Sequence, residues 1–129
     1  MNEQFDDLPW HDANLKSLYI DRQNPGEYDI VKIVVEWPGA LEISTVEFYD
    51  CYALNARMNF GIVAGELILQ ATCVEDSSEL KDIQEKWSKI EVNLSGLKCY
   101  RIITSSTNSL IEIFSNGFRV NERGSVLRF

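Results

Sequence analysis

The sequence predicts an α+β protein that is mostly β, built on an antiparallel sheet with a single helix. Apolar and polar residues alternate most regularly over residues 28–37, and a period of two is typical of a half-buried strand. Turn-forming pairs, Pro25-Gly26, Pro38-Gly39 and Asn116-Gly117, separate the alternating segments. We expect meanders and hairpins that curl into a half-open barrel or a sandwich-like form, with one amphipathic helix at about 77–91.

The length and composition indicate one globular unit. The chain has 129 residues, so residues 1–129 are predicted to form a single β-rich domain. Apolar residues make up 45% of the sequence and charged residues 25%, which are ordinary values for globular proteins. No run of 18 apolar residues is present, and the sequence therefore predicts no transmembrane helix and no membrane partner.

Three strands are predicted in the first half of the chain, at 15–22, 28–37 and about 41–50. The predicted core face of the second strand carries four apolar residues: Val31, Ile33, Val35 and Trp37. Val46 and Phe48 share a face of the third strand. Residues 51–65 follow neither the strand period nor the helix period, which favours a connecting segment packed against the sheet.

The second half combines the predicted helix with further strands. Residues 66–74 fit either a short strand or a helical turn. Asp76 or Ser77 supplies an N-cap to a helix over 77–91, whose apolar stripe is Leu80, Ile83, Trp87 and Ile90. Residues 97–104 form the next predicted strand. Asn116-Gly117 predicts a hairpin that joins 109–115 to 118–120, and 126–129 is a candidate final strand.

Acidic residues are concentrated in the first 50 positions. The chain has 20 Asp and Glu against 12 Lys and Arg, a net charge of -8, and residues 1–50 hold eleven of the acids with three bases. This balance argues against a nucleic-acid partner, which requires clustered Lys and Arg. Two interpretations remain open: a solvated face that keeps the protein soluble, or an acidic face that attracts a basic protein partner.

The cysteines and the N-terminus suggest a reducing compartment. Cys51, Cys73 and Cys99 are widely spaced and form no CxxC pair, so free thiols are expected. Residues 1–10 contain neither a basic region nor an apolar run, which predicts no signal peptide and a cytoplasmic location. With a single histidine in the chain, we predict no metal site and no cofactor.

The only histidine, His11, is followed directly by Asp12. A His–Asp pair can serve as a catalytic base with its orienting acid, and a small enzyme that uses His11 with nearby acids is one alternative. Adjacent strand residues point in opposite directions, however, which favours a structural role for His11 beside Trp10 at the sheet edge. No nucleotide-binding or nucleophile-elbow motif is present, so we predict a protein that is not an enzyme.

A candidate interface lies around residues 49–52, where aromatic and acidic residues occur together. Its members are Tyr49, Asp50 and Tyr52, with Glu47 and Glu42 earlier on the same predicted strand. Aromatic anchors beside charged groups are typical of protein interfaces. The alternative is a homo-oligomer, in which open sheet edges or the aromatic residues between Trp10 and Tyr52 form the interface between copies.

Two patches of the sequence have a recognisable composition. The first is Leu8–Leu15 (LPWHDANL), which leads into a strand ending at Ile20-Asp21-Arg22. The second is Val46–Tyr52 (VEFYDCY), followed by Met58–Gly61 (MNFG). Together they cover roughly a fifth of the chain, and they resemble small bacterial families, some of which are immunity proteins of polymorphic toxin systems.

The resemblance implies a compact β-rich binding protein that blocks a toxin by occlusion, without catalysis. His11 and Asp12, next to Trp10, are motif positions in it and carry no assigned role. We therefore predict a non-catalytic protein-binding module, an immunity-like inhibitor of a basic toxin. The alternatives are a homo-oligomeric structural protein and the small enzyme described above.

Overall fold

The computed structural model describes residues 4–39 and 42–121. It opens with a short 3-10 helix, Phe5–Asp7, and contains one α-helix, α1, at Ser78–Ser88. The strands are β1 (Asn14–Asn24), β2 (Tyr28–Glu36), β3 (Ile43–Arg57), β4 (Ile68–Val74), β5 (Lys98–Thr104) and β6 (Leu110–Asn121). The prediction of an α+β protein that is mostly β is confirmed.

The strands form one antiparallel sheet in the order β1-β2-β3-β6-β5-β4. The sheet curls so that its two edge strands approach each other at one end, where an isolated bridge joins Asn14 to Leu67. Leu15 N donates to Glu66 O at 2.7 Å, and Ile68 N donates to Ala13 O at 2.7 Å. The sheet is not closed along the rest of these edges, as expected for a half-open barrel.

The largest apolar cluster fills the inside of the curl. Val31, Ile33, Val35 and Trp37 all belong to it, which confirms the predicted core face of β2. Val46 and Phe48 of β3 and Ile111 and Ile113 of β6 join it from the neighbouring strands. Side chains of a strand alternate between the buried and the other face of the sheet. The period of two in the sequence therefore identifies these core residues correctly.

The N-terminal segment closes the opening between β1 and β4. The ring of Phe5 lies 4.8 Å from the ring of Trp10 and 4.9 Å from that of Tyr100. Trp10 Nε1 donates to Phe5 O at 2.7 Å, so the buried indole N–H is satisfied locally. Both side chains are therefore part of the core, and Trp10 offers no surface to a partner.

Helix α1 packs against part of the other face of the sheet. Leu80 packs with Cys99 of β5 and Phe114 of β6 in a second apolar cluster, and Ser77 Oγ caps the helix by accepting from Leu80 N. The helix ends at Ser88 rather than 91, because Glu91 adopts a left-handed φ of 67° and Val92 N bonds back to Trp87 O. Ile90, predicted on the apolar stripe, is consequently 65% exposed.

The prediction of a hairpin at Asn116-Gly117 is wrong. Both residues lie within β6, which runs unbroken from Leu110 to Asn121. Gly117 pairs with Tyr49 of β3, and a Cβ at position 117 would stand 2.6 Å from Tyr49 Cζ. Glycine is required here by close packing, not by a turn.

The segment 51–65 was predicted as a connection, but its first part is strand, because β3 continues to Arg57. A register shift between Cys51 and Ala53 and a left-handed φ of 54° at Asp50 break the alternation, which is why the strand period fails there. Of the two interpretations of 66–74, the strand is correct. The predicted strand at 126–129 lies outside the described residues.

Candidate functional site

A cleft opens where the β1–β2 hairpin separates from β3. β2 pairs with β3 only as far as Phe48, and the rest of β3 pairs with β6 alone. The resulting cleft has a volume of about 690 Å³. Its walls include Arg22, Glu27 and Asp29 from the hairpin, Asp50 and Tyr52 from β3, and Trp87 from α1. We refer to it as the acidic cleft.

The lining of the acidic cleft carries three acids and one base. Arg22 Nε lies 3.3 Å from Asp29 Oδ1, and Gly26 N donates to Asp29 Oδ2 at 3.1 Å. Asp29 therefore stabilises the β1–β2 turn. Glu27 and Asp50 are exposed on the two sides of the cleft, so their carboxylates can meet a cationic group that enters between them.

Two aromatic side chains, Tyr52 and Trp87, belong to the apolar part of the cleft lining. The rings of Tyr52 and Trp87 meet edge to face at a centroid distance of 5.1 Å. Both side chains are half-buried, packed against the second apolar cluster, which leaves part of each ring available. Aromatic surface beside carboxylates suits the stem and head group of a lysine or arginine.

Cys51 also lines the acidic cleft, but its thiol is not a nucleophile at neutral pH. Burial raises the pKa of Cys51 to about 11, and the charges of Asp29 and Asp50 act in the same direction. The thiol remains protonated and donates to Phe48 O at 3.2 Å. A nucleophilic role would require a lowered pKa.

The other predicted interface residues lie elsewhere. Glu47 Oε2 pairs with Arg119 Nη2 at 2.9 Å, and the Arg119 guanidinium lies 4.9 Å from the centre of the Tyr49 ring. Glu42 is at the far end of the sheet, where its carbonyl accepts from Trp37 N. Of the five predicted residues, only Asp50 and Tyr52 line the cleft.

His11 and Asp12 lie beside the edge of β4. His11 Nδ1 donates to Leu69 O at 3.1 Å, and His11 Nε2 lies 3.8 Å from Asp12 Oδ2. The expectation that the two side chains point apart is wrong, because Asp12 adopts a left-handed φ of 69° in a turn rather than a strand conformation. Both side chains are exposed, and neither lines the acidic cleft.

Acids of the first half lie at both ends of the sheet. The pairing of β1 with β2 and β3 puts Asp29 and Asp50 at the hairpin end of the sheet, with Glu27 in the turn itself. Glu36 and Glu42 lie at the opposite end, which is also the end of Asp12 and Asn14. The acidic cleft therefore contains only some of the acidic residues of the first half.

The loop between β3 and β4 is a further surface feature, and its exposure was not predicted from the sequence. Phe60, Ile62 and Val63 in this loop are large, apolar and exposed. Their exposure could not be read from the sequence, because apolar residues outside a clear period give no indication of burial.

Two further findings concern the described residues as a set. Within 4–39 and 42–121, no group of three His, Cys, Asp or Glu side chains is arranged to hold a metal ion. In the same part of the chain, no helix has the length and apolar character needed to cross a membrane.

The fold and the cleft thus define a mostly β protein of the α+β class with an acidic, aromatic-lined recess. Comparison with protein-family models, with curated proteins and with solved structures found no match. The resemblance to immunity proteins stays a prediction from the sequence.

Proposed function

We propose that this protein is a non-catalytic binding module that takes a basic side chain of a partner protein into the acidic cleft. The observation that supports this most is the pairing of exposed carboxylates, Glu27 and Asp50, with the aromatic surfaces of Tyr52 and Trp87 around one cleft. A cleft of about 690 Å³ has room for more than one long side chain, since pockets for whole small ligands are of roughly this size.

The partner that fits this chemistry best is a basic toxin, and the protein then acts as an immunity-like inhibitor by occlusion. The sequence resemblance of Leu8–Leu15 and Val46–Tyr52 supports this. A net charge of -8 accelerates encounter with a basic protein, and an inhibitor of a toxin gains from fast association.

An enzymatic function has less support from the geometry. His11 is exposed and engaged with the Leu69 carbonyl, and Cys51 is held as a neutral thiol. The cleft therefore brings binding groups together without an activated base or nucleophile.

Affinity purification from the producing cells tests the binding proposal. The bait proteins are the wild type, the cleft variant Glu27→Gln/Asp50→Asn and the control Asp7→Asn/Glu42→Gln, which removes the same charge from exposed sites elsewhere. We expect the wild type and the control to capture a basic protein, and the cleft variant to bind it roughly tenfold or more weakly. The association rate should fall steeply between about 0.05 M and 0.5 M salt.

Equal capture by the cleft variant and by the control would contradict the cleft as the binding site. Inhibition is tested separately, with the captured protein produced alone and together with the wild type. We expect growth arrest in the first case and normal growth in the second. A partner that is harmless on its own would refute the immunity-like role.

A further inference from the structure

A recess opens between β1 and the loop that joins β3 to β4. Its volume is about 400 Å³, within the range of pockets that hold small molecules. Its apolar walls are Leu15 and Leu18 of β1 and Met58, Phe60 and Ile62 of the loop. The described residues that line it are all different from those that line the acidic cleft. We call it the loop recess.

The loop wall of this recess is held in place by the turn between β5 and β6. Asn59 N donates to Ser109 Oγ at 2.8 Å, and Ser106 Oγ donates to Gly65 O at 2.6 Å. Phe60 lines the recess although it is 86% exposed, so a ligand that enters beside it buries apolar surface. The recess is formed before a ligand arrives, which lowers the entropy cost of binding.

One carboxylate oxygen in the lining lacks a hydrogen-bond partner. Glu66 lines the loop recess, and its Oε2 accepts from Thr107 Oγ1 at 2.6 Å. Its Oε1 is buried and accepts from no donor, which is rare for a buried polar atom. Within the described residues, no Lys or Arg forms an ion pair with Glu66. This carboxylate therefore suits a ligand that brings a cationic donor, toward which it turns from its covered position.

The base in the lining is Lys16, which lies at an irregularity of β1. The register with β2 shifts between Leu15 and Ser17, and Lys16 stands between them. Lys16 is exposed, and the ion pairs found among the described residues do not include it. Its ammonium group, on a flexible four-carbon stem, is therefore available to an anionic group of a ligand.

The charges of the lining select a class of ligand. Glu66 and Lys16 are its charged residues, one of each sign. A simple amine would leave Lys16 unpaired and be repelled by it, and a simple carboxylate would stand in the same relation to Glu66. A zwitterion with an apolar body satisfies both charges and the apolar walls together.

We propose that the loop recess binds a free α-amino acid with an apolar side chain, such as leucine, whose ammonium group pairs with Glu66 and whose carboxylate pairs with Lys16. The apolar side chain of the ligand packs between β1 and the loop. Because the ligand is small and the recess is open, the dissociation constant is expected to be on the order of 0.1–1 mM. This proposal does not depend on the acidic cleft.

Titration of the full chain with L-leucine, followed through its amide chemical shifts by NMR, tests the site. We expect saturable shifts at residues 15–18, 58–62 and 66. Two analogues dissect the ligand in the wild type: 3-methylbutylamine, which lacks the carboxylate, and 4-methylpentanoate, which lacks the ammonium group. Each is expected to bind at least about tenfold more weakly than leucine, because a charge of the recess then stays unpaired.

Two variants dissect the recess in the same way. Glu66→Gln, whose amide oxygen can still accept from Thr107, should weaken leucine at least about tenfold and bring its affinity down to that of 4-methylpentanoate. Lys16→Gln should weaken leucine and bring its affinity down to that of 3-methylbutylamine. Glu91→Gln and Lys89→Gln, which change exposed charges beyond the end of α1, are the matched controls and should leave leucine binding unchanged.

The absence of saturable shifts around the recess at about 20 mM leucine would overturn the proposal. So would analogues that bind the wild type as tightly as leucine, a result that does not require any variant to fold. The cleft variant Glu27→Gln/Asp50→Asn should bind leucine normally, and Glu66→Gln should still capture a basic partner. Failure of the leucine site and failure of the proposed function are thus separately visible.

Discussion

The ring of Tyr49 lies across Gly117, its register partner on the neighbouring strand. A Cβ at position 117 would stand 2.6 Å from Tyr49 Cζ, closer than Cβ atoms approach a neighbour in real structures, and 3.1 Å from Cε1. The Arg119 guanidinium lies over the same ring, 4.9 Å from its centre. An aromatic side chain thus covers a glycine in a central strand, which would otherwise weaken the pairing of β3 with β6.

Gly117→Ala is expected to destabilise the protein, because the added methyl group displaces the Tyr49 ring. The expected loss in the free energy of unfolding is about 1–3 kcal/mol. In a Tyr49→Ala background the same substitution should cost little. Urea denaturation of the wild type, the two single variants and the double variant measures the energetic coupling between Gly117 and Tyr49. Gly96→Ala is the control, since a Cβ at Gly96 meets nothing within 4 Å, and equal losses at the two glycines would contradict the account.

The ion pair between Arg101 and Glu112 should matter more than that between Arg119 and Glu47. Arg101 Nε lies 2.8 Å from Glu112 Oε2, and the Glu112 side chain is only 8% exposed. Arg101→Met leaves this carboxylate buried without its partner, for an expected loss of about 2–3 kcal/mol in the free energy of unfolding.

Arg119→Met is the matched comparison, because its pair with Glu47 is more exposed and is expected to contribute less than about 1 kcal/mol. Chemical denaturation of the two variants under identical conditions shows which ion pair contributes more to stability. Equal losses would show that burial of Glu112 has no energetic consequence.

The three thiols should lose their protons at a higher pH in the folded protein than in the unfolded protein. Burial raises the pKa of Cys51, Cys73 and Cys99 from 9.0 to about 11. Between these values the folded state holds protons that the unfolded state has released. The unfolding free energy is therefore expected to be unaffected by the thiols below pH 9, and to fall as the pH rises toward about 11.

Thiolate absorbance in the ultraviolet follows this titration directly. Thiolate should form near pH 9 in denaturant and only toward pH 11 in the folded protein. Thiolate formation in the folded state already at pH 9 would contradict the burial argument.

Two side chains from the N-terminal segment protect the edge of β4. Asp6 Oδ1 accepts from Cys73 N at 2.8 Å, and His11 Nδ1 donates to Leu69 O at 3.1 Å. Each of these side chains forms a hydrogen bond with a backbone group that an edge strand would otherwise leave free to pair with another chain. The variant Asp6→Ala/His11→Ala is expected to lose about 1–2 kcal/mol of stability and to aggregate faster.

Light scattering of this variant during incubation below its unfolding temperature measures the aggregation. Asp7→Ala, which removes one exposed acid of the same segment as Asp6→Ala does, is the control for charge. Aggregation of both variants at the same rate would mean that net charge, and not edge protection, is responsible.

The sequence predicted the fold best where burial alternates along one strand. Val31, Ile33 and Val35 are recognisable because their neighbours in the chain point to the other face. Phe5 could not be recognised as core, because it is buried by the distant residues Tyr100 and Phe48. Asn116-Gly117 was misleading for the same reason, since the partner that requires the glycine lies nearly 70 positions earlier.

The candidate site was predictable only in part. Asp50 and Tyr52 were identified as neighbours in sequence, but their proximity to Glu27 depends on where β2 leaves β3. Phe60 and Val63 belong to a segment that was predicted to pack against the sheet, yet both are exposed in the loop between β3 and β4.

The position of β6 in the sheet has a consequence for how the chain assembles during translation. β6 is the last strand of the described chain, yet it lies between β3 and β5 and pairs with β3 over eleven register positions. Until residue 121 has left the ribosome, β3 and β5 each have an open inner edge, and β1–β3 meet β4–β5 at the bridge between Asn14 and Leu67. Nascent chains that stall before β6 therefore present the unpaired edges of β3 and β5 to chaperones and to one another, and the emergence of β6 is the step that joins the two strands.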